Sequence, residues 1–391
     1  MQLGRWARCF VTTFLGWTLA TTAARAEGST TAKARTEVAG YTDSVGVSVF
    51  TPSVGASVDS PTSGWGADGR YLVDVVSAAS PDIVATASPR WSEVRHAGNI
   101  GARYKPGRFG VGLGGAASYT PDYLAMSANG QLVQELDDKN LTLVEGYSFG
   151  RDTIGRTGTP FSVFSRELTT HAFTLGVSRV VNPSLVIGLY ADAMLERGDQ
   201  SKPYRYVPMF APEIAPTVPR GASAITVADS RIVARPLEQL PLERDRWAVT
   251  GRMGWRTEHT TLRLEQRLYT DSWNLKATTT DFRWFIDVAE RITVWPHLRV
   301  HVQSGADFWQ RAYAARGAGD LPAIRTGDRE LGPLSNFGLG AGIRFALGKA
   351  GAKDDVVLSF TGDGTWTSFT DALYVKDRFS GIGTSTLEVT F

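Results

Sequence analysis

The chain has 391 residues, 42% of them hydrophobic, with 41 basic and 39 acidic side chains and a formal net charge of +2. So even a balance excludes a nucleic-acid binder that works by electrostatic attraction. Mean hydropathy is −0.13, and no window after residue 26 approaches the roughly 20 apolar residues of a membrane helix. That excludes a helical membrane protein but not a membrane barrel, whose alternating strands hide their lipid face from such averages.

At the start, Arg5 and Arg8 precede the apolar run CFVTTFLGWTLA (9–20), and AARA (23–26) sets Ala24 and Ala26 at the spacing of a cleavage site. The pattern predicts a secretory signal peptide over residues 1–26; as a transmembrane anchor the run is too short. The single cysteine, Cys9, falls inside it, so the mature domain, 27–391, has no disulfide, thiol nucleophile or cysteine metal site. Losing Arg5, Arg8 and Arg25 leaves 38 basic against 39 acidic residues.

From there the sequence alternates apolar and polar residues with period two almost throughout, the signal of half-wet strands. Alternation predicts sixteen strands, at 34–42, 45–58, 64–77, 94–104, 109–119, 123–135, 140–150, 168–181, 184–196, 246–257, 260–270, 275–288, 297–312, 335–347, 355–367 and 381–391. The connections sort by parity. Those after even-numbered strands are all short (SPTSG, KPGR, LDDK, NP, EH, AERITVWP, GKAGAKD), and every long one, 78–93, 151–167, 197–245, 313–334 and 368–380, follows an odd-numbered strand. Short turns on one side and long loops on the other are the build of an outer-membrane barrel, here an all-β, antiparallel transmembrane barrel of about sixteen strands. A periplasmic sandwich or propeller also alternates but has no reason to sort its loops by parity. A solenoid would need a repeat period, and none is found.

Several motifs tempt along the way. GVGLGG (110–115) and GLGAG (338–342) resemble phosphate cradles, but neither opens a helix; small inward glycines on strands account for both. GYSFG (146–150) has the nucleophile-elbow pattern around Ser148, yet a Gly- and Pro-punctuated loop follows where a helix is required. The loop 197–245 holds seven of the 18 prolines; it resists helix and ladder alike, and is read as either a constriction in the barrel mouth or a surface cap. The five histidines show no metal-ligand spacing, and GDGT (362–365) and LDDKN (136–140) do not fit a calcium loop, so neither metal nor cofactor is expected.

The strands from 247 to 307 carry a wall of charge. Arg252, Arg263, Arg267 and Arg299 share the inward parity, with Glu265, His301 and Asp307 among them. The set is a candidate selectivity feature, or else a mutually neutralised ladder. With Glu265 and Asp307 unable to neutralise four arginines, modest anion selectivity is expected, unless acids such as Asp74 or Glu145 face the same lumen. The chain ends on TSTLEVTF (384–391), where Leu387, Val389 and Phe391 fall on the outward parity: a closing strand and an assembly signal for the barrel assembly machinery.

The segments YLVDVVSAASPD (71–82), ERGDQSKPYRY (196–206), RPLEQLPLERDR (235–246), RLYTDSWNLKATTTD (267–281) and DFWQRAY (307–313) resemble an uncharacterised family, a domain of unknown function, of proteobacterial outer-membrane barrel proteins. The resemblance implies a barrel in the outer membrane of a Gram-negative bacterium and transfers no catalytic residues. The company its members keep, a small lipoprotein, a thioredoxin-like protein and a flavin transferase, implies a periplasmic lipoprotein partner and an envelope redox or maturation system. Three functions follow: a porin-like channel or transporter for small polar solutes, a non-conducting structural or partner-binding barrel, and, least favoured, a lipase-type enzyme.

Overall fold

The computed structural model describes residues 30–78, 91–348 and 355–391; the signal peptide expected at 1–26 lies outside them. Sixteen long antiparallel strands close into one barrel. In chain order they are β1 (Thr31–Asp43), β2 (Val47–Ser60), β3 (Trp65–Ala78), β4 (Trp91–Tyr104), β5 (Phe109–Thr120), β6 (Tyr123–Leu136), β7 (Leu141–Ile154), β8 (Arg166–Asn182) and β9 (Leu185–Gly198). Then come β11 (Glu243–Arg256), β12 (Thr260–Asp271), β13 (Lys276–Ala289), β14 (Ile292–Gln303), β16 (Leu334–Ala346), β17 (Asp355–Phe369) and β18 (Asp377–Thr390). Two short strands, β10 (Met209–Phe210) and β15 (Tyr313–Ala314), form a separate parallel pair in the loops.

Each predicted strand overlaps one barrel strand. The largest departure is at 297–312, where β14 starts at Ile292 and ends at Gln303. Pro296, read as part of a turn, sits inside the strand: it pairs with Ala341 of β16, while the ladder to β13 lapses opposite it. A proline has no amide proton for the β13 side, and the strand continues on the pairing that remains.

Closure runs through the chain ends, with β1 and β18 paired from Lys33↔Thr390 to Asp43↔Ser380. The amide of Phe391 donates to the carbonyl of Ala32 at 2.8 Å, extending that seam to the last residue. Sixteen strands about 4.8 Å apart and tilted about 40° enclose a cylinder about 30 Å across.

Register fixes the two faces. Outward go Leu113, Ile100, Leu175 and Leu189, among the most exposed apolar side chains of the molecule. Aromatic residues collect outward near the ends of strands, as Trp255, Trp284, Trp65 and Phe391 at the short-turn end and Trp247, Trp366, Tyr119 and Phe379 at the other. Trp247 and Trp255, eight residues apart on β11, bracket an apolar band about 20 Å tall on a tilted strand.

Most large buried apolar side chains lie outside the wall, in the connections at the long-loop end. Residues 199–242 carry β10 and a two-turn helix, Ala224–Ser230, whose N-terminus is capped by Ser223 accepting from the Thr226 amide at 3.0 Å. Phe210, Ala215, Val218, Ala222 and Val227 pack with Leu373 and Tyr374 of the β17–β18 loop. Val207 and Met209 pack with Tyr313 and Ala315 of the β14–β16 connection. Leu240 packs with Trp273, Ala306 and Leu331. A cap with its own core covers this end of the barrel.

Candidate functional site

The charged wall is assembled by pairing register. Arg252 on β11 lies opposite Glu265 on β12, Glu265 opposite Asp281 on β13, and Asp281 opposite Arg299 on β14. Arg252 donates from Nε to Glu265 at 2.8 Å and covers the Tyr190 ring. Arg267 reaches past β11 to Asp192 of β9 at 3.1 Å. Arg299 donates to Asp281 at 3.2 Å, and Arg263 stacks its guanidinium over Phe285. His301 bonds Thr279 at 2.8 Å and Gln303 at 3.2 Å.

Six of the seven wall residues named from sequence therefore share the inner face of β11, β12 and β14. Asp307 does not: β14 has ended, and its carboxylate accepts from Asn274 in the neighbouring turn at 2.9 Å. Overextending the strand to 312 carried a loop residue onto a false parity. Asp74 faces inward, bonded to Arg95 and Thr51, whereas Glu145 lies on the outer face, opposite Leu132 and Leu175.

The expected surplus of arginine is reduced by acids that inward parity alone could have marked. Asp281 takes Arg299 and Arg283, and shares His297 with Asp363: His297 meets Asp281 through Nε2 at 3.0 Å and Asp363 through Nδ1 at 2.5 Å. A histidine bonded to carboxylates through both ring nitrogens makes both contacts as donor only when doubly protonated. Gly340 allows this cluster, because any side chain there would overlap the Asp363 carboxylate. Inward parity on 184–196 and 275–288 already marked Asp192 and Asp281. The same pairing recurs around the ring, as Arg70 with Glu37, Arg95 with Asp74, Arg103 with Asp59 and Arg246 with Glu196.

The opposite side of the lumen is different in kind. A cavity of about 400 Å³ lies against β3 to β9, lined by Ala97, Asn99, Ala116, Ser118, Ser127, Ser148, Gly150 and Thr170, with Leu72 and Met194. Ser148 sits in the middle of β7, with Ala172 as its β8 neighbour, and not on the strand-to-helix turn a nucleophile requires.

The cap spans the mouth from one side to the other. Tyr204 donates to Asp122, in the β5–β6 turn, at 2.8 Å, and Thr157 of the β7–β8 loop donates to the same oxygen at 2.9 Å. Well round on the other side of the ring, Arg220, in the same 199–242 connection as Tyr204, donates to Ser368 on β17 at 3.0 Å and to the Lys376 carbonyl at 3.2 Å. Between them Arg205 is held by Glu238 at 3.2 Å and Asp328 at 2.9 Å, and Glu238 also accepts from Thr326. Burial acts to raise the Asp328 carboxyl, but the charge and hydrogen bond of Arg205, the Glu330 amide and the Lys202 charge together outweigh it and hold the group below the ordinary aspartate range. Burial likewise acts to raise Asp122, and the hydroxyls of Tyr204, Thr157 and Thr120 reverse it, leaving that carboxyl below its ordinary value. Anchorage is thus uneven: apolar clusters with Trp273, Leu334, Phe369 and Val45 on the β12–β2 side, and polar contacts on the β5–β8 side. The cavity lies along the polar side.

A family model described as "Protein of unknown function (DUF3570)" matches residues 17–354. No curated protein matches the sequence. Among solved structures, a bacterial polysaccharide outer membrane secretin is similar at 9% identity and a TM-score of 0.47, over 92% of this chain and 97% of that one. OccAB1 of Acinetobacter baumannii is similar at 10% identity and TM-score 0.45, over 94% and 99% of the two chains. The toluene transporter TodX of P. putida is similar at 10% identity and TM-score 0.40, over 93% and 90%. Such likenesses concern the barrel architecture and leave the solute to the residues of this chain.

Proposed function

We propose that this chain, which belongs to the protein family of unknown function DUF3570, is an outer-membrane barrel that conducts small polar solutes through a mouth spanned by a folded cap. The observation that carries this reading is the division of surfaces. An apolar outer band between two aromatic zones suits a bilayer, a polar inner face suits water, and closure leaves no strand edge unpaired in lipid. The long loops then face the exterior and the short turns and both barrel termini the periplasm. Phe391, held to Ala32 at the seam, is the outward aromatic of the closing strand that the assembly machinery would engage.

The cap gives the non-conducting alternative a specific basis, since a mouth bridged from Asp122 to Ser368 is closed for as long as those contacts hold. In that case the barrel is a platform for an envelope partner, such as a periplasmic lipoprotein. An enzyme is not proposed, because the inner face offers ion-paired carboxylates and separate hydroxyls but, among the described residues, no serine held by a histidine.

Purified protein reconstituted in planar bilayers tests the reading. Discrete conductance steps support a channel; a correctly folded, heat-modifiable protein that never conducts supports the platform. Epitope tags settle orientation: those within 199–242 or 313–333 should be reached by antibody on intact cells, and those at 258–259 should not. The reverse pattern would invert the topology.

A further inference from the structure

Ion pairs recur all round the lumen, but along β4 to β8 they leave between them a stretch of small, hydroxyl-bearing side chains, and this difference deepens the channel reading on which the inference rests. On β11 to β14, three of the four arginines named from sequence are engaged by carboxylates, and the fourth lies on a ring. An arginine already bonded to a carboxylate offers a passing anion little net attraction, because the pair's field falls off as that of a dipole. So engaged, most of the wall's arginines give it little power to select a solute by charge.

The free space lies against the other half. There Asn99, Ser118, Ser127, Ser148 and Thr170 line the cavity, on β4, β5, β6, β7 and β8. Neighbouring strands run about 4.8 Å apart, so one hydrogen-bonding side chain per strand makes a graded track around the wall. Those five side chains make no hydrogen bond with any described residue, so their donors and acceptors are open to solute or water. The charged groups at the edge of the cavity are committed: Arg70 to Glu37 at 2.8 Å and to Ser53 at 3.0 Å, and Asp152 as acceptor from the Tyr123 hydroxyl. Ala97, Ala116, Ala125 and Ala172 keep the spaces between them open.

We infer that the preferred solutes are uncharged polyhydroxy molecules of sugar size, guided along the β4–β8 wall by its serine, threonine and asparagine side chains. A cavity of about 400 Å³ falls in the range of small-molecule sites. Hydroxyls that both donate and accept can exchange their bonds with those of a polyol without leaving either side unpaired. A charged solute entering the same track leaves bulk water and meets, besides neutral hydroxyls and amides, only Arg70, already bonded to Glu37, and Asp152, already bonded by the Tyr123 hydroxyl, a poor exchange for its hydration.

The test uses three probes of nearly one size and opposite charge states: sorbitol, gluconate and glucosamine. Full-length mature protein in liposomes should admit labelled sorbitol at least tenfold faster than either ion. Thr170→Val together with Ser148→Ala should slow sorbitol roughly threefold, at the scale of losing hydrogen bonds from a wet site. Arg263→Gln should leave the sorbitol rate unchanged, and heat-modifiable migration confirms that each variant is folded. Equal entry of the three probes, or preference for gluconate, overturns the inference and leaves the channel reading standing. No entry of any probe through folded protein overturns both.

Discussion

The barrel wall and the cap are stabilised by opposite uses of the same kinds of residue. On the wall, Ile100 and Leu113 remain 73% and 72% exposed, while in the cap Met209 and Phe210 are fully buried. The wall is held by a closed ladder and leaves its apolar face for lipid, so its stability depends on the bilayer. The cap buries its apolar residues within itself and pairs Arg205 with Glu238 and Asp328, as a small soluble domain would. One chain thus contains a part built for hydrocarbon and a part built for water. The difference implies that they can be disrupted separately.

The strongest way to break that comparison is Phe210→Ala. Removing a buried phenylalanine costs about 3–5 kcal/mol, enough to open a cap of this size. The cap segment should become cleavable by protease added outside cells, while the barrel keeps its heat-modifiable mobility. Loss of the folded barrel as well would mean that wall and cap are one cooperative unit. On the wall side, deleting Phe391 removes the Ala32 bond and the last outward aromatic. The inserted fraction should fall several-fold in outer-membrane preparations, with the cap of the surviving molecules still protease-resistant; normal insertion would remove the terminal-strand argument.

Two smaller effects sharpen the contrast. Gly340→Ala forces a methyl against the Asp363 carboxylate, an overpacking that costs about 1–3 kcal/mol. It should lower the temperature at which the barrel loses its compact gel mobility without exposing the cap, and an unchanged transition would contradict the close packing of the Asp281–His297–Asp363 cluster. Acid should act on the cap through Asp328. Burial opposes its charge, Arg205 with the Glu330 amide and Lys202 prevails, and its folded value lies below the ordinary aspartate range near 3.9. Its stabilisation is therefore complete above about pH 4 and lost as pH falls through the lowered folded value. Proteolysis of 199–242 should be the same at pH 7 and pH 5 and rise below about pH 3; a rise already at pH 5 would assign the acid sensitivity elsewhere.

How much was legible follows the same division. Wall strands announce themselves because a period of two has one physical meaning when one face meets lipid and the other water, and TLRLEQRLY (261–269) displays it without reference to any neighbour. Loop-length parity needs only the order of strands. The failures came where a neighbour decides. Pro296 reads as a turn in isolation and is accommodated because β16 supplies the pairing. Asp192 neutralises Arg267 from a strand 75 residues away in sequence, so the arginines looked unbalanced when only their own segments were inspected. The cap was visible only as seven prolines in a long connection. Its core comes from three separate loops, and the apolar residues in YVPMFAPEIAPTVP (206–219) have no period to betray their partners.

The most direct test of a conducting wall closed by a separable cap is conductance in planar bilayers, before and after the cap's polar edge is released by Tyr204→Phe with Thr157→Val. These changes remove the Tyr204 and Thr157 hydroxyls from Asp122, leaving it only that of Thr120 within its own turn, and keep the apolar anchorage on the far side in place. The account predicts that wild type opens rarely and that the double variant is open for most of the record, with the same unit conductance. A double variant as silent as wild type, with its barrel folded, would contradict it.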